Sequence, residues 1–296
     1  MSRINFRERI NKKLFLLDGA MGTQLITHGV NVGKCNDYLN IDSADIIFDI
    51  HQAYLQAGSD AVLTNTFGAN KYTLSRHGFG NKVKEINTAG AQIARRAADD
   101  EKYVLGDIGP SGDFLQPLGN LKPEELKDAF AEQAKALLAG EVDGFIIETM
   151  TALEEATIAI EAVKSVSDLP ILVSLAYDSV ADKFRTMMGL DPATAAGQII
   201  QLGVDAIGFN CGSLNMDQYV ELAQSYTSEI KGGTILLAEP NAGKPELIEG
   251  QTVYKISPED FADTAEKIYS AGVNILGGCC GTSPAHIEAI AKKLKN

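Results

Sequence analysis

Val273-Asn274-Ile275-Leu276-Gly277-Gly278-Cys279-Cys280-Gly281-Thr282-Ser283-Pro284 holds, in one stretch, the unit from which the whole chain is built. A short apolar run comes first, then a loop that ends on reactive side chains, then a serine before a proline. That last pair places an N-cap residue ahead of proline at the first helical position. The same design recurs along the chain. β-rich runs lie at Leu14–Leu17, Ala61–Leu63, Tyr103–Leu105, Gly144–Ile147, Ile171–Leu175, Ala206–Phe209, Thr234–Leu237 and Val273–Leu276. Helical periodicity fills the gaps between them. Asp191-Pro192 and Ser257-Pro258 repeat the start signal, and Thr151-Ala152-Leu153-Glu154 reads as a capping box. The runs are too apolar to keep one face wet, so they predict a parallel sheet covered on both sides. Eight such strand–helix units indicate an α/β fold, a (β/α)8 TIM barrel, with an open doubly wound sheet as the alternative. The barrel's usual size of about 250 residues leaves room for modest insertions. No linker or low-complexity stretch divides residues 1–296, which read as a single domain.

A barrel collects its chemistry where the strands end. Here the runs lead to Asp18-Gly19, Thr64-Asn65-Thr66, Asp107, Glu148-Thr149, Ser174 to Asp178, Asn210-Cys211, Glu239-Pro240-Asn241 and Cys279-Cys280. Adjacent residues on a strand point to opposite faces, so Cys279 and Cys280 reach one metal only if the strand has ended and glycines let the backbone turn. Joined by Cys211 they would form a soft, tetrahedral-favouring zinc site with one position open, the pattern of catalytic zinc. A vicinal disulfide, or a turn of small residues whose cysteines merely pack, are the competing readings. The sixth and eighth strands are near neighbours in a barrel, which favours the metal. Glu148 is either a rim residue facing a ligand or a carboxylate serving a helix start. With Thr151 as the cap, the ligand reading is preferred. The loop Asp18-Gly19-Ala20-Met21-Gly22-Thr23-Gln24 has glycines spaced to bring amides against an anion, or forms an ordinary tight turn.

Other residues carry less. His28, His51, His77 and His286 lack metal-binding spacing and read as surface or packing residues. Cys35, in the long first loop, is a candidate fourth ligand, but with no partner spacing it reads as structural. No strand run holds a lysine, which disfavours a Schiff-base aldolase. Gly277-Gly278 as a phosphate cradle would leave the paired thiols unexplained. The formal charge of -13 argues against a nucleic-acid partner. A chain of 296 residues buries roughly three quarters of its unfolded surface and needs no disulfide scaffold. Met1 to Lys13 is basic rather than apolar, and no run approaches the roughly 18 apolar residues of a membrane span. A cytoplasmic location is expected, where thiols stay reduced.

Taken in order, Asp18–Thr23, Thr64–Asn70, Gly106–Pro110, Asn210-Cys211, Glu239–Gly243 and Gly277–Thr282 resemble the zinc-dependent homocysteine S-methyltransferases. Within that family the likeness is greatest to the homocysteine-binding module of cobalamin-dependent methionine synthase. The resemblance runs from about residue 10 to the C-terminus and implies the same barrel fold. It implies that Cys211, Cys279 and Cys280 hold Zn²⁺, with Asn241 at the position of a weak fourth oxygen ligand. It implies that Asp18, Gly19, Ala20, Met21, Gly22 and Thr23 hold an amino acid's carboxylate and Glu148 its ammonium. The activity implied is methylation of homocysteine, or a related small thiol, to methionine. The chain ends at Asn296, soon after its last helical segment, so the donor is expected as a separate molecule or protein unless the chain was cut from a longer one. Betaine or S-methylmethionine would bring a cationic head, for which an aromatic cage led by Trp is the usual solution. With no Trp and 7% aromatic residues, a methyl-corrinoid (methylcobalamin) protein is the favoured donor. A non-catalytic zinc- or thiol-binding barrel is the reading from another class.

Overall fold

In the computed structural model, which describes residues 3–30, 33–181, 183–230, 234–248 and 251–295, the eight runs form one parallel sheet. Its strands are β1 (Phe15–Leu16), β2 (Ala61–Leu63), β3 (Tyr103–Ile108), β4 (Gly144–Met150), β5 (Ile171–Leu175), β6 (Ala206–Asn210), β7 (Ile235–Glu239) and β8 (Ile275–Leu276). The spatial order is β1-β8-β7-β6-β5-β4-β3-β2. First and last strands pair, Phe15 opposite Ile275, which a doubly wound sheet with a central first strand cannot do. Between β1 and β2 the ladder narrows to one backbone bond, Asp60 N to Leu16 O at 2.6 Å. The Asp60 carboxylate completes it, accepting from Leu16 N at 2.9 Å. The barrel is nearly closed.

Alternate residues of each strand serve two cores, which is why the runs are apolar throughout. Phe15, Leu17, Leu105, Ile146, Leu172, Leu237 and Ile275 fill the interior. Leu16, Val62, Val104, Ile147, Val173, Ile207 and Leu276 face the surrounding helices. The amino-terminal helix Phe6–Ile10 plugs the lower end, with Phe6 5.6 Å edge-on to Phe15 and 5.3 Å from Tyr103 between ring centroids. The opposite end is left to the loops. Two hairpins rise from it: Asp178–Val180 with Lys183–Arg185 after β5, and Glu246–Ile248 with Gln251–Val253 after β7. No helix among the described residues is long and apolar enough to cross a membrane.

The proline start signals hold. Asp191 accepts from Thr194 N, Ser257 from Asp260 N, and Ser283 exchanges contacts with the His286 imidazole. The capping box at Thr151 does not. The helix Leu153–Lys164 begins after Ala152 without a side-chain cap, and the Thr151 carbonyl instead accepts from the Thr186 hydroxyl of the β5 loop at 2.6 Å. Glu148 nonetheless lies outside that helix. β4 runs on through Glu148 and Thr149 to Met150, with a register shift after Ile147 and Thr149 at φ 60°. Bulges of this kind re-aim side chains beside active sites.

His51 is the one histidine in a purely apolar setting. On the helix Ala44–Gln56 it is fully buried, and neither ring nitrogen has a partner. Burial pushes its pKa down to about 3, so the folded chain takes no proton there while the unfolded chain does from its ordinary 6.5. Stability is therefore lost as pH falls below about 6.5 toward 3. His51→Leu should raise unfolding free energy by about 1–3 kcal/mol at neutral pH, and more as pH is lowered. Denaturant titrations of both proteins at pH 7 and pH 5 check this; an equal or lower stability of the variant at both would contradict it.

Candidate metal centre and amino-acid pocket

The loops at the carboxyl ends of the strands enclose a cavity of about 540 Å³ lined by Asp18–Thr23, Asp107, Glu148, Cys211, Glu239, Cys279 and Cys280, among others. The three sulfurs converge on it. Cys280 Sγ lies 4.0 Å from Cys211 Sγ and 3.9 Å from Cys279 Sγ, and all three sit within 4.8 Å of one another. Four sulfurs at tetrahedral positions about 2.3 Å from a zinc ion stand about 3.8 Å apart. A disulfide needs about 2.05 Å, and all of these cysteines are free.

The backbone explains how neighbours in sequence share one ligand. β8 stops at Leu276, and the next residues thread between two loops. Gly278 N donates to Asp18 O at 3.0 Å and Cys279 N to Pro240 O at 2.9 Å, while Cys280 O accepts from Ala242 N at 2.9 Å. Cys279 to Thr282 then close a turn, with Thr282 N at 3.1 Å and its hydroxyl at 2.7 Å from Cys279 O. Gly277 and Gly278 serve by small size rather than by a left-handed backbone; a Cβ on Gly278 would stand 2.7 Å from the Thr282 side chain. Cys211 reaches the site by the opposite device. It sits at φ 53°, a left-handed conformation that costs a β-carbon residue of order 1 kcal/mol or more and is kept where the surroundings enforce it. Tyr219 is one such enforcer: its hydroxyl donates to Cys211 O at 2.7 Å and accepts from Asn241 N at 3.3 Å.

Charge within the cluster is shared unevenly. Hydrogen bonds from Cys211 and Cys279 hold the Cys280 thiol down to about 3, while that same pairing, with burial, leaves Cys279 well above its usual range. Cys211 rises to about 11, chiefly through contact with Cys280 and burial, against a lowering bond to Cys279. One thiolate with two S–H donors is what three sulfurs settle into alone; a soft cation would release the other two protons.

Beside the sulfurs stands an acidic cluster. Burial raises Asp18, Asp107 and Glu239 well above the carboxylate range, and Glu148 to about 7, with mutual repulsion adding to the first three. Among the described residues, the buried acceptors without a partner include Asp107 Oδ1, Glu239 Oε2 and Asn241 Oδ1. Asn241 Nδ2 donates to Gly212 O at 2.8 Å, which anchors the amide and leaves its oxygen free. Asn210 ties the two halves of the site together. It donates to Glu148 Oε2 and Thr149 Oγ1, both at 2.7 Å, accepts from Ser174 Oγ at 2.8 Å, and lies 3.8 Å from Cys279 Sγ.

The structure thus brings Cys211, Cys279, Cys280, Glu148 and the loop Asp18 to Thr23 to one cavity, with the Asn241 oxygen unpartnered nearby. Within that loop the Ala20 amide is already taken by Thr282 Oγ1 at 3.0 Å. The amides of Met21, Gly22 and Thr23 open the helix Met21–Thr27 and have no partner within it. Asp18 faces inward but spends one oxygen on Leu63 N at 3.0 Å. Cys35 is buried 3.8 Å from Asp37 on the far side of the cavity. Asp107, Glu239, Asn210 and Tyr219 are members that the residue reading did not single out. Glu239 and Asn210 end their strands and Asp107 lies one residue before the end of β3, which was the available signal; Tyr219 lies in a helix, where nothing marked it.

A family model described as Homocysteine S-methyltransferase matches residues 15–294. The chain is similar to the methionine synthase of Mycobacterium tuberculosis (strain ATCC 25618 / H37Rv), 30% identical over 307 residues that cover 97% of this chain and 25% of that protein. For the methionine synthase of Mycobacterium leprae (strain TN) the identity is 31% over 304 residues, covering 96% and 24%. The chain spans about a quarter of the length of these curated relatives. Among solved structures it resembles the homocysteine methyltransferase MmuM from Escherichia coli. The metallated form gives a TM-score of 0.79 at 21% identity, covering 95% of this chain and 96% of that one. The oxidised form gives 0.80 at 21%, covering 98% and 100%. At that identity the likeness is one of fold.

The purified protein is expected to bind one Zn²⁺ or Cd²⁺ per chain, and Cys279→Ser with Cys280→Ser to abolish it. Circular-dichroism melting of the metal-free protein should barely change, since the core of a chain this long does not depend on a metal. Metal analysis showing full occupancy in the double variant would rule the cluster out as the ligand set.

Proposed function

The chain belongs to the homocysteine S-methyltransferase family, and we propose that its barrel holds Zn²⁺ through Cys211, Cys279 and Cys280 and methylates homocysteine to methionine, with a methyl-corrinoid protein as donor. The observation that carries the reading is the spacing of the three sulfurs, 3.9 and 4.0 Å about Cys280, beside an unpartnered Asn241 Oδ1. That is a ligand set of three strong donors and one weak neutral one. Zinc, when bound, supplies the charge that removes the proton of a thiol whose ordinary pKa is near 8.5 and leaves the nucleophilic thiolate.

The remaining residues suit the rest of the substrate. A buried cluster of Asp18, Asp107, Glu148 and Glu239 carries protons at an energetic cost unless a cation joins it. The α-ammonium of an amino acid is such a cation. Glu148, bonded to Asn210 and next to Asp107, suits that role, and the unpartnered Asp107 Oδ1 offers a second acceptor. The free amides of Met21, Gly22 and Thr23, with the positive end of their short helix, suit the carboxylate. Thiol at the cysteines, ammonium at the acids and carboxylate at the loop together describe a short amino-acid thiol.

Two features favour a donor presented by a protein. Among the described residues lining the cavity, Phe67 supplies the only benzene ring, which does not make an aromatic cage for a small cationic donor. The rim is instead rich in exposed apolar side chains: Phe67, Phe114, Leu118, Met187, Met188, Leu247 and Ile248 all lie in loops that follow strands. Exposed apolar surface gathered on one face marks a site that another macromolecule covers.

The test is methyl transfer to homocysteine from methylcobalamin, free or protein-bound, beside S-methylmethionine, betaine and S-adenosylmethionine. Methylcobalamin alone should support turnover. Turnover with S-methylmethionine and none with any corrinoid would replace the donor, and homocysteine binding without transfer from any donor would make the barrel a binding module. Glu148→Gln should leave zinc content intact and weaken homocysteine by about 1.5–3 kcal/mol, roughly tenfold to a hundredfold in affinity. Unchanged affinity by calorimetry would remove Glu148 from the ammonium site.

A further inference from the structure

β2 stops at Leu63, opposite Leu105 of β3, so the backbone of Asp107 reaches past the end of its neighbour. Two threonine side chains take the place of the missing strand. Asp107 N donates to Thr64 Oγ1 at 2.9 Å, and Thr66 Oγ1 donates to Asp107 O at 2.8 Å. The two hydroxyl oxygens stand 2.6 Å apart. One arrangement of their protons serves every bond. Thr66 gives its proton to the carbonyl, which can only accept, and so receives the proton of Thr64. The result is a closed ring, Asp107 N–H to Thr64 to Thr66 and back to Asp107 O, in which each bond polarises the next. Both threonines are buried, and the buried Gln133 of the helix Pro123–Leu138 supports the ring by donating to Thr66 O at 2.9 Å. The residue so held is only 5% exposed, lines the cavity, and keeps its Oδ1 without a hydrogen-bond partner among the described residues.

We propose that Thr64 and Thr66 are positioning residues for recognition of the substrate's ammonium: their hydroxyl ring fixes the Asp107 backbone, and with it the carboxylate whose free Oδ1 accepts from the ammonium. The proposal rests on the amino-acid reading of the cavity given above. An acceptor contributes most to binding when it is already in place, because ordering it at the moment of binding costs affinity. Ladder bonds do this for a residue inside a sheet. Past the end of β2 the threonines do it. Glu148, the other acid given this role, is held by a different device, through its side chain by Asn210 Nδ2 at 2.7 Å. Both hydroxyl protons are spent within the ring, so the threonines act through Asp107 and not on the substrate.

Two variants separate the hydroxyl from the shape of the side chain. Thr66→Val keeps the shape and removes the hydroxyl, and Thr66→Ser keeps the hydroxyl. Calorimetry on the full chain, supplied with Zn²⁺, compares L-homocysteine with γ-mercaptobutyrate, the same thiol acid without the ammonium. Thr66→Val should weaken homocysteine by about tenfold and γ-mercaptobutyrate by less than about twofold, with zinc content unchanged. Thr66→Ser should bind both as the parent does. Equal weakening of the two thiols would overturn the proposal by assigning the effect to packing. An unchanged preference for homocysteine in Thr66→Val, loss of its zinc, or a Thr66→Ser protein as impaired as Thr66→Val would overturn it as well. Thr64→Val breaks the ring at its other hydroxyl and is held to the same criteria, so the test stands if Thr66→Val does not fold. A parent that binds the two thiols equally would instead remove the ammonium reading on which the proposal stands.

Discussion

Closing eight parallel strands into a barrel forces every carboxyl end onto one rim, and the site depends on that constraint. Cys211 and Cys280 are 69 residues apart, yet their sulfurs stand 4.0 Å from each other because β6 and β8 flank the same strand, β7. The seventh strand in turn delivers Glu239 and Asn241 between them. No local motif brings these groups together. They meet because Phe15 pairs with Ile275 and the Asp60 carboxylate completes the narrow seam beside it. What fills the lower half of the barrel is ordinary apolar packing, so the upper half is free to be polar.

That upper half is held in a costly state. Cys211 and Thr149 take left-handed backbone angles, five carboxyl groups line one cavity, and Asp107, Glu239 and Asn241 each keep a buried oxygen without a partner. Each feature works against stability, and the surrounding bonds of Asn210, Tyr219 and Thr282 keep them in place. The pattern of deficits has a chemical meaning. Unsatisfied oxygens and raised carboxyl pKa values ask for a cation, a cluster of three sulfurs asks for a soft metal, and free loop amides ask for an anion. On the function proposed above, a zwitterion ending in a thiol would answer the organic part of that demand.

Much of this could be read in the residues, and the reasons for the misses are physical. Short β-rich runs between proline-started helices were enough for the barrel, because both faces of every strand are buried and the runs are apolar throughout. Strand ends were enough to pick out Cys211, Cys279, Cys280 and Glu148, which line one cavity. The Thr151 capping box failed because its carbonyl and neighbours are drawn to Thr186, a tertiary contact that local sequence does not carry. Strand ends such as Ile147 to Met150 were misplaced because a bulge lets polar residues continue a strand beyond its apolar part. Asn210 was visible only as the neighbour of Cys211. Tyr219 was invisible: it acts across a distance set by the fold, and a tyrosine in a helix looks like packing.

The central claim is that three protein sulfurs hold the metal and the substrate's sulfur becomes the fourth. X-ray absorption at the zinc edge, recorded on the zinc-loaded protein with and without homocysteine, addresses it directly. The account predicts three sulfur neighbours and one lighter nitrogen or oxygen neighbour without substrate, and four sulfurs with it. A closed set of four strong ligands from the start, or a first shell that homocysteine leaves unchanged, would contradict it.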